Sequence, residues 1–337
     1  MTVIGGKDIL IIDLRGVLLT TSIHHSFIRI FSIVFLFFLM NAVSFAQSGV
    51  GTTGAVALKI PVNPRAIGMG QAFTAVADDA SAVYWNPAGL DQMEGSELFA
   101  EYDLFIDTVT YNYFNGAFKL SNDFTLGFGA KILGTGTTNV TDITGNTTGA
   151  TFGEDFYDID VAIAYRLSYY FEIGLTAKYI SETLTTTAST FAVDLGLMYK
   201  TPIPHLKLGL DIQNLGPGLT FISQADPLPM VIRVGAAYQM LDDNFTMDWD
   251  VAFPNDDAIS TSLGGEYWYK NTLVGRLGYE FQGTIDQNQL GIGGEAGLYL
   301  GAGLKASLFK TSFGLDYAWT DQGILGSNHH FSLAWYF

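Results

Sequence analysis

Residues 158–167 read DIDVAIAYRL. Ile159, Val161, Ile163, Tyr165 and Leu167 take every second position, opposite Asp160 and Arg166. A period of two is the signature of a β-strand with one apolar and one polar face. The same design recurs on either side. DFTLGFGAKIL sets Phe124, Leu126, Phe128, Ala130 and Ile132 against Thr125, Gly127, Gly129 and Lys131. NFTMDWDVAF sets Phe245, Met247, Trp249, Val251 and Phe253 against Thr246, Asp248 and Asp250. FEIGLTAKY, FAVDLGLMY, LKLGLDI and FGLDYAW repeat it, so from about residue 96 the chain is all-β.

Alternation suits a soluble sandwich, with the apolar face as core, or an outer-membrane barrel, with the apolar face in lipid. Three features favour lipid. Aromatic residues stand near strand ends, as Phe171 and Tyr179 do, in the manner of interfacial girdles. The strands reach the roughly 9–11 residues that a tilted crossing needs. The linkers alternate in length. Short ones fall at 120–123, 169–170, 201–205, 241–244, 269–272 and 309–312, and long ones at 134–155, 216–229, 283–289 and 321–330. Short turns on one side and long loops on the other describe an up-and-down transmembrane antiparallel β-barrel, here of about 14 strands. The ending HHFSLAWYF closes on alternating Phe331, Leu333, Trp335 and Phe337, a strand of the kind read by the outer-membrane assembly machinery.

The bulk numbers narrow the function. The 337 residues are 48% hydrophobic and only 15% charged, with net charge −17. So acidic a chain argues against nucleic acid as a partner, because phosphate binding needs clustered Lys and Arg. With no cysteine there are no disulfides and no thiolate chemistry. The five histidines are His24, His25, His205, His329 and His330, the last pair expected in the loop before the final strand. No zinc-binding helix motif, serine-nucleophile elbow or phosphate loop occurs, so no catalytic residue, metal or cofactor is expected and the protein is read as not an enzyme.

Near the N-terminus, IFSIVFLFFLMNAV at 30–43 is an apolar block shorter than the roughly 20 residues of a spanning helix. Small residues Ser44 and Ala46 follow, which suits a signal peptide cleaved before Gln47. The expected organisation is signal peptide at 1–46, with a start site placed too early, an N-terminal segment at 47–95 and the barrel at 96–337.

That N-terminal segment contains RAIGMGQAFTAVADDASAVYWNPAGL, residues 65–90. Asp78 or Asp79 suits the N-cap of a short helix DASAVYW. Asn86 and Pro87 suit a second start, as cap and first helical residue, leading into Ala88. Gly68 and Gly70 permit a tight, close-packed backbone. A folded segment with little charge, placed before the first strand, is expected inside the barrel as a helical hatch or plug.

The two near-adjacent glycines, the ADDAS string and NPAGL resemble the N-terminal hatch of the FadL-type outer-membrane transporters. The wording of residues 65–90 looks still more like the PorV/PorQ branch of that superfamily. The resemblance implies a hatch-plugged fourteen-stranded barrel in the bacterial outer membrane. Its FadL side implies passage or binding of hydrophobic small molecules, and its PorV side implies association with type IX secretion and with secreted proteins. Motif residues Gly68, Gly70, Asp78, Asp79, Asn86, Pro87 and Ala88 are read as structural caps and contacts. Leu219, Phe221, Ile222 and Leu228, in the loop at 216–229, are the candidate apolar surface for a ligand or partner. Inward-facing Lys131, Arg166, Lys178, Lys207, Arg233, Arg276 and Lys305 face Asp160, Glu172, Asp194, Asp211, Asp248, Asp250, Glu266, Glu280, Glu295 and Asp316. They suit an ion path or the internal pairing of a filled barrel, and burial favours pairing.

Overall fold

The computed structural model describes residues 51–104, 109–282, 297–309, 311–321 and 326–337. The expected signal peptide, residues 1–46, the linker 283–289 and the inward-facing Glu295 lie outside the described residues. The strands are β1 (Glu97–Leu104), β2 (Thr110–Lys119), β3 (Phe124–Gly134), β4 (Thr138–Thr141), β5 (Thr147–Phe152) and β6 (Asp155–Arg166). They continue as β7 (Phe171–Thr183), β8 (Thr187–Lys200), β9 (Leu206–Leu215), β10 (Leu219–Thr220), β11 (Ala225–Asp226) and β12 (Val231–Met240). The last are β13 (Phe245–Pro254), β14 (Ser260–Tyr269), β15 (Leu273–Gln282), β16 (Leu298–Leu308), β17 (Thr311–Asp321) and β18 (Ser327–Tyr336).

Fourteen of these strands form a closed antiparallel barrel, each pairing with its neighbour in the chain and β1 closing on β18. The other four make two small hairpins, β4–β5 and β10–β11, inside the long linkers. The short turns gather at one end of the barrel, which is the periplasmic end by the rule for such folds. The hairpins stand at the other, outer end.

The faces follow the alternation. Val161 is 53% exposed while its neighbour Ala162 is fully buried. Phe331, Leu333, Trp335 and Phe337 are exposed on the outside, and Asn328, His330, Ser332 and Ala334 on the other face are buried. Aromatic pairs mark both rims: Phe171 stacks on Tyr199 with ring centres 4.6 Å apart, and Tyr179 meets Phe191 at 5.3 Å. The first pair lies at the short-turn end of β7 and β8, and the second lies four positions inside their outer end.

One expectation is corrected here. His329 and His330 lie in β18, not in a loop, because that strand begins at Ser327 and keeps its register with β17 and β1 up to Leu104. Its first turns carry polar residues on the inward face, which hid the strand behind what looked like a polar loop.

Candidate functional site

Between Gly54 and Met93 the chain crosses the barrel interior. It begins at the outer end, where the Gly54 amide donates to Pro227 O at 3.0 Å and Ala55 N–H donates to Glu182 Oε2 at 3.1 Å. Lys59 pairs there with Asp257 at 3.1 Å. It leaves at the periplasmic end, where Arg166 pairs with Asp91 at 2.6 Å and Lys207 donates to Gln92 at 2.8 Å. Phe73, Val83, Trp85, Ala88 and Leu90 on this segment are fully buried and form one apolar core with inward-facing barrel residues.

Its local structure follows from short-range chemistry. A short helix spans Pro64–Gly68, where Asn63 caps by accepting from Arg65 N–H and proline takes the first turn. The Pro87–Gln92 turn is 3₁₀, capped by Asn86 Oδ1, which accepts from Ala88 N–H at 3.2 Å. Asn86 Nδ2 also donates to Thr74 O at 2.9 Å, joining two parts of the segment. The expected cap of the middle helix is corrected. The helix is only Ala82–Trp85, and Ser81 stands at its cap position without a side-chain bond. Asp79 instead folds the preceding turn, its Oδ1 accepting from Ser81 N–H at 3.0 Å and from Ser81 Oγ at 2.5 Å. Asp78 does not cap; it pairs with Arg65 at 2.6 Å.

The glycines carry the closest approaches to the wall. Gly70 has φ +68°, and a Cβ there would come within 2.7 Å of Tyr279 N. A Cβ on Gly68 would come within 2.9 Å of Gly301 Cα. Backbone therefore packs on backbone, hatch glycine against strand glycine, and no side chain fits between.

Arg65 is the polar hub. Its Nε and Nη2 donate to the two oxygens of Glu266, both at 2.9 Å, and its Nη1 donates to Asp78 and to Asp79. Glu266 also accepts from Arg276 at 2.7 Å, and Arg276 reaches Asp316 at 2.5 Å. The remaining inward cations are held in the same way. Lys131 lies 3.9 Å from the Tyr84 ring centre and donates to Leu58 O, Arg233 lies 5.4 Å over Trp85, and Lys178 pairs with Asp194 at 2.7 Å. The cations among the inward charges are thus each held by a carboxylate, a carbonyl or amide oxygen or a ring, several of them from the hatch, whereas Asp160 and Asp211 keep oxygens without a hydrogen-bond partner. Sequence reasoning placed these charges but missed their partner. Its signal was a lone arginine beside a double aspartate in an otherwise uncharged stretch.

The candidate apolar loop does not form one surface. Leu219 and Leu228 are buried against the start of the hatch, Phe221 is half-buried, and Ile222 alone is open, at 92% exposure. The β10–β11 hairpin folds its apolar residues down over the hatch, which is the lower-energy place for them.

Two hollows adjoin the hatch. A cavity of about 190 Å³ at the outer end is lined by Leu58, Tyr84, Gln213, Arg233, Asp256 and Glu280 among others. An open groove of about 770 Å³ lies on the lipid face over β13–β16, with Phe245, Met247, Leu263, Tyr267, Leu277 and Leu298 in its walls. Its floor includes Gly264, Gly278 and Gly301, whose inner sides meet Met69, Gly70 and Gly68.

The sequence matches no protein-family profile and no curated protein. Likeness appears in structure. The toluene transporter TodX of Pseudomonas putida aligns with TM-score 0.53 and 14% identity over 80% of this chain and 96% of its own. A FadL homologue of Pseudomonas aeruginosa aligns at 0.56 and 11% over 82% and 98%. The toluene transporter TbuX of Ralstonia pickettii aligns at 0.55 and 14% over 81% and 97%. At such identities the shared property is the fold, a FadL-type barrel. With its closed wall and lipid-facing exterior, the chain is a protein of the bacterial outer membrane.

Proposed function

We propose that this barrel binds hydrophobic small molecules and passes them across the outer membrane, with residues 54–93 as the gate. The observation that carries the reading is the seat of the hatch. Its Gly68–Gly70 turn presses on the inner side of the same glycine-bearing strands whose outer side holds the apolar groove. An open diffusion pore has no use for a segment tied to the wall by Arg65, Asn86 and Asp91, whereas a selective path for apolar solutes does. The groove is large enough for an apolar ligand, and the inner cavity, small and of mixed polar and apolar lining, suits only a transient station.

The FadL-type fold agrees with this reading, since the neighbours named above include toluene transporters. The finer assignment, to the PorV/PorQ branch, rests on the wording of residues 65–90. On that reading secreted proteins would dock at the outer loops, where Ile222 is exposed.

The test is equilibrium binding of a fluorescent fatty acid to the purified protein in detergent, with mass spectrometry of apolar molecules extracted from it. Saturable binding is expected, weakened about tenfold or more by Met247→Arg, which puts a charge into the apolar wall of the groove. Absence of saturable binding, together with recovery of secreted proteins on the immobilised barrel, would replace this reading by the secretion one.

A further inference from the structure

The first and last strands meet in a cluster that the hatch and the gate do not explain. Glu101 and Asp103 are two apart on β1 and so share its inward face. His330 on β18 stands directly across from Asp103, and Tyr111 on β2 stands directly across from it on the other side. All four are buried to 98% or more. One carboxylate oxygen from each acid and one imidazole nitrogen lie within 4.8 Å of one another.

Their atoms are unsatisfied. Asp103 Oδ1 and Oδ2, Glu101 Oε1, His330 Nδ1 and Tyr111 Oη have no hydrogen-bond partner. His330 Nδ1 and Asp103 Oδ1 are 2.9 Å apart without the alignment of a hydrogen bond. Only Glu101 Oε2 is committed, accepting from Asn63 N–H of the hatch at 2.7 Å. Among the described residues no Lys or Arg forms an ion pair with either acid; Asp158, Asp160 and Asp211 also keep unpartnered oxygens, but the Glu101 and Asp103 carboxylates share their site with an unpartnered imidazole. Buried carboxylates persist when paired or when they coordinate a metal.

We propose that Glu101, Asp103 and His330 bind one divalent transition-metal ion of the zinc class, clamping the seam where the barrel closes. Two carboxylates neutralise a dication, and one imidazole selects a borderline ion over calcium, which takes six to eight oxygens. Tetrahedral ligands about 2.1 Å from a shared ion stand roughly 3.4 Å apart, so the nitrogen and oxygen, 2.9 Å apart, need to part by only about half an ångström to admit one. Glu101 also holds the hatch through Asn63, so the ion ties three parts of the chain: first strand, last strand and plug. Because the ligands come together only in the closed barrel, the ion would bind the folded state and stabilise it.

The experiment uses the full mature chain, purified in detergent. Elemental analysis after dialysis should find about one zinc per chain. Removal with EDTA should lower the unfolding temperature, and zinc should restore it. Cobalt substitution should give visible absorption, which reports an ordered site independently of stability. Asp103→Asn and His330→Phe should lose the metal and the spectrum while keeping the heat-dependent gel shift of a folded barrel. His205→Ala, in an exposed turn beside Asp243, should keep both. If the folded parent holds no zinc and ignores EDTA, the acids share a proton instead and the proposal is overturned. Zinc that survives both site variants but is lost with His205 overturns it equally.

Discussion

Arg65 decides whether the hatch stays seated. It enters the barrel with its charge spread over Glu266, Asp78 and Asp79, in a planar fork that lysine cannot reproduce. Its removal leaves Asp78 and Asp79 without a cation while Glu266 keeps Arg276, at a cost of about 3 kcal/mol, the low end for a broken buried pair. Arg65→Gln should therefore loosen the hatch and raise ion conductance in planar bilayers, and a closed, unaltered trace would show that this hub is dispensable. Gly70 is the steric counterpart. Gly70→Val adds a side chain to a left-handed position already against Tyr279 N, and overpacking of this sort costs roughly 1–3 kcal/mol. Asn86→Ala, which removes one cap and the bond to Thr74 O, should cost about 1–2 kcal/mol and leave the barrel closed. The order of the three variants in urea unfolding checks the ranking. The capping role of Asn86 and the freedom of Gly70 are visible in the residue types; the reach of Arg65 across 201 positions to Glu266 is not.

Among the elements, the hatch and the β4–β5 hairpin behave oppositely. Deleting residues 65–90 should leave a barrel that inserts and conducts, since the strand ladder from β1 to β18 closes without it. Failure to insert would mean that the hatch is needed to organise the inward charges it pairs. The hairpin is exposed, and its tip is ordered by Asp142. That carboxylate accepts from Thr144 Oγ1 at 2.7 Å, Thr144 N–H at 2.8 Å and Asn146 N–H at 3.0 Å, and these bonds hold its pKa below the usual carboxylate range, the Thr144 hydroxyl first among them. A depressed pKa gives order that is present above the unfolded value, about 3.9, and lost as pH falls through the folded one. Amide exchange at Asn146 should accordingly be unchanged from pH 7 down to about 4 and gain a faster component below, relative to an exposed amide elsewhere. Asp142→Ala should abolish that pH dependence.

At the scale of the molecule, the barrel sets two sides and two faces. Cysteines placed at Thr144 and Asp242, in connections at opposite ends, should label from opposite sides of the membrane in intact cells. Val161→Arg should destabilise by roughly 2–4 kcal/mol, the cost of a cation at the bilayer midplane. Ala162 points inward, and alternation alone places a charge there in the lumen. The structure adds what occupies that place: Ala162 is fully buried and packs beside Gly127, under Val83 of the hatch. Ala162→Arg should leave insertion intact and displace the hatch, so the two neighbouring variants fail in different assays, unfolding for one and conductance for the other.

The strands, their faces and the sidedness of the loops were legible in the sequence. A period of two is a local property, and lipid on one side enforces it along every strand. The start at Asn86 and Pro87 was legible for the same reason, because a cap and its amide lie two or three positions apart, whereas the cap expected at Asp78 or Asp79 did not form and the one at Asn63 was not foreseen. The pairing of charges was not. Glu266 and Arg65, Asp91 and Arg166, and Asp103 and His330 are each brought together by barrel closure from distant parts of the chain. Alternation says that a residue points inward, but what it meets there depends on shear, register and the path of the hatch, which are properties of the closed sheet as a whole. For the same reason Leu219 and Leu228, apolar in a loop, could be read as an open surface when in fact they are buried. Sequence determined where each side chain points; tertiary structure decided what waits there, since contacts between remote segments form only once the first strand has found the last.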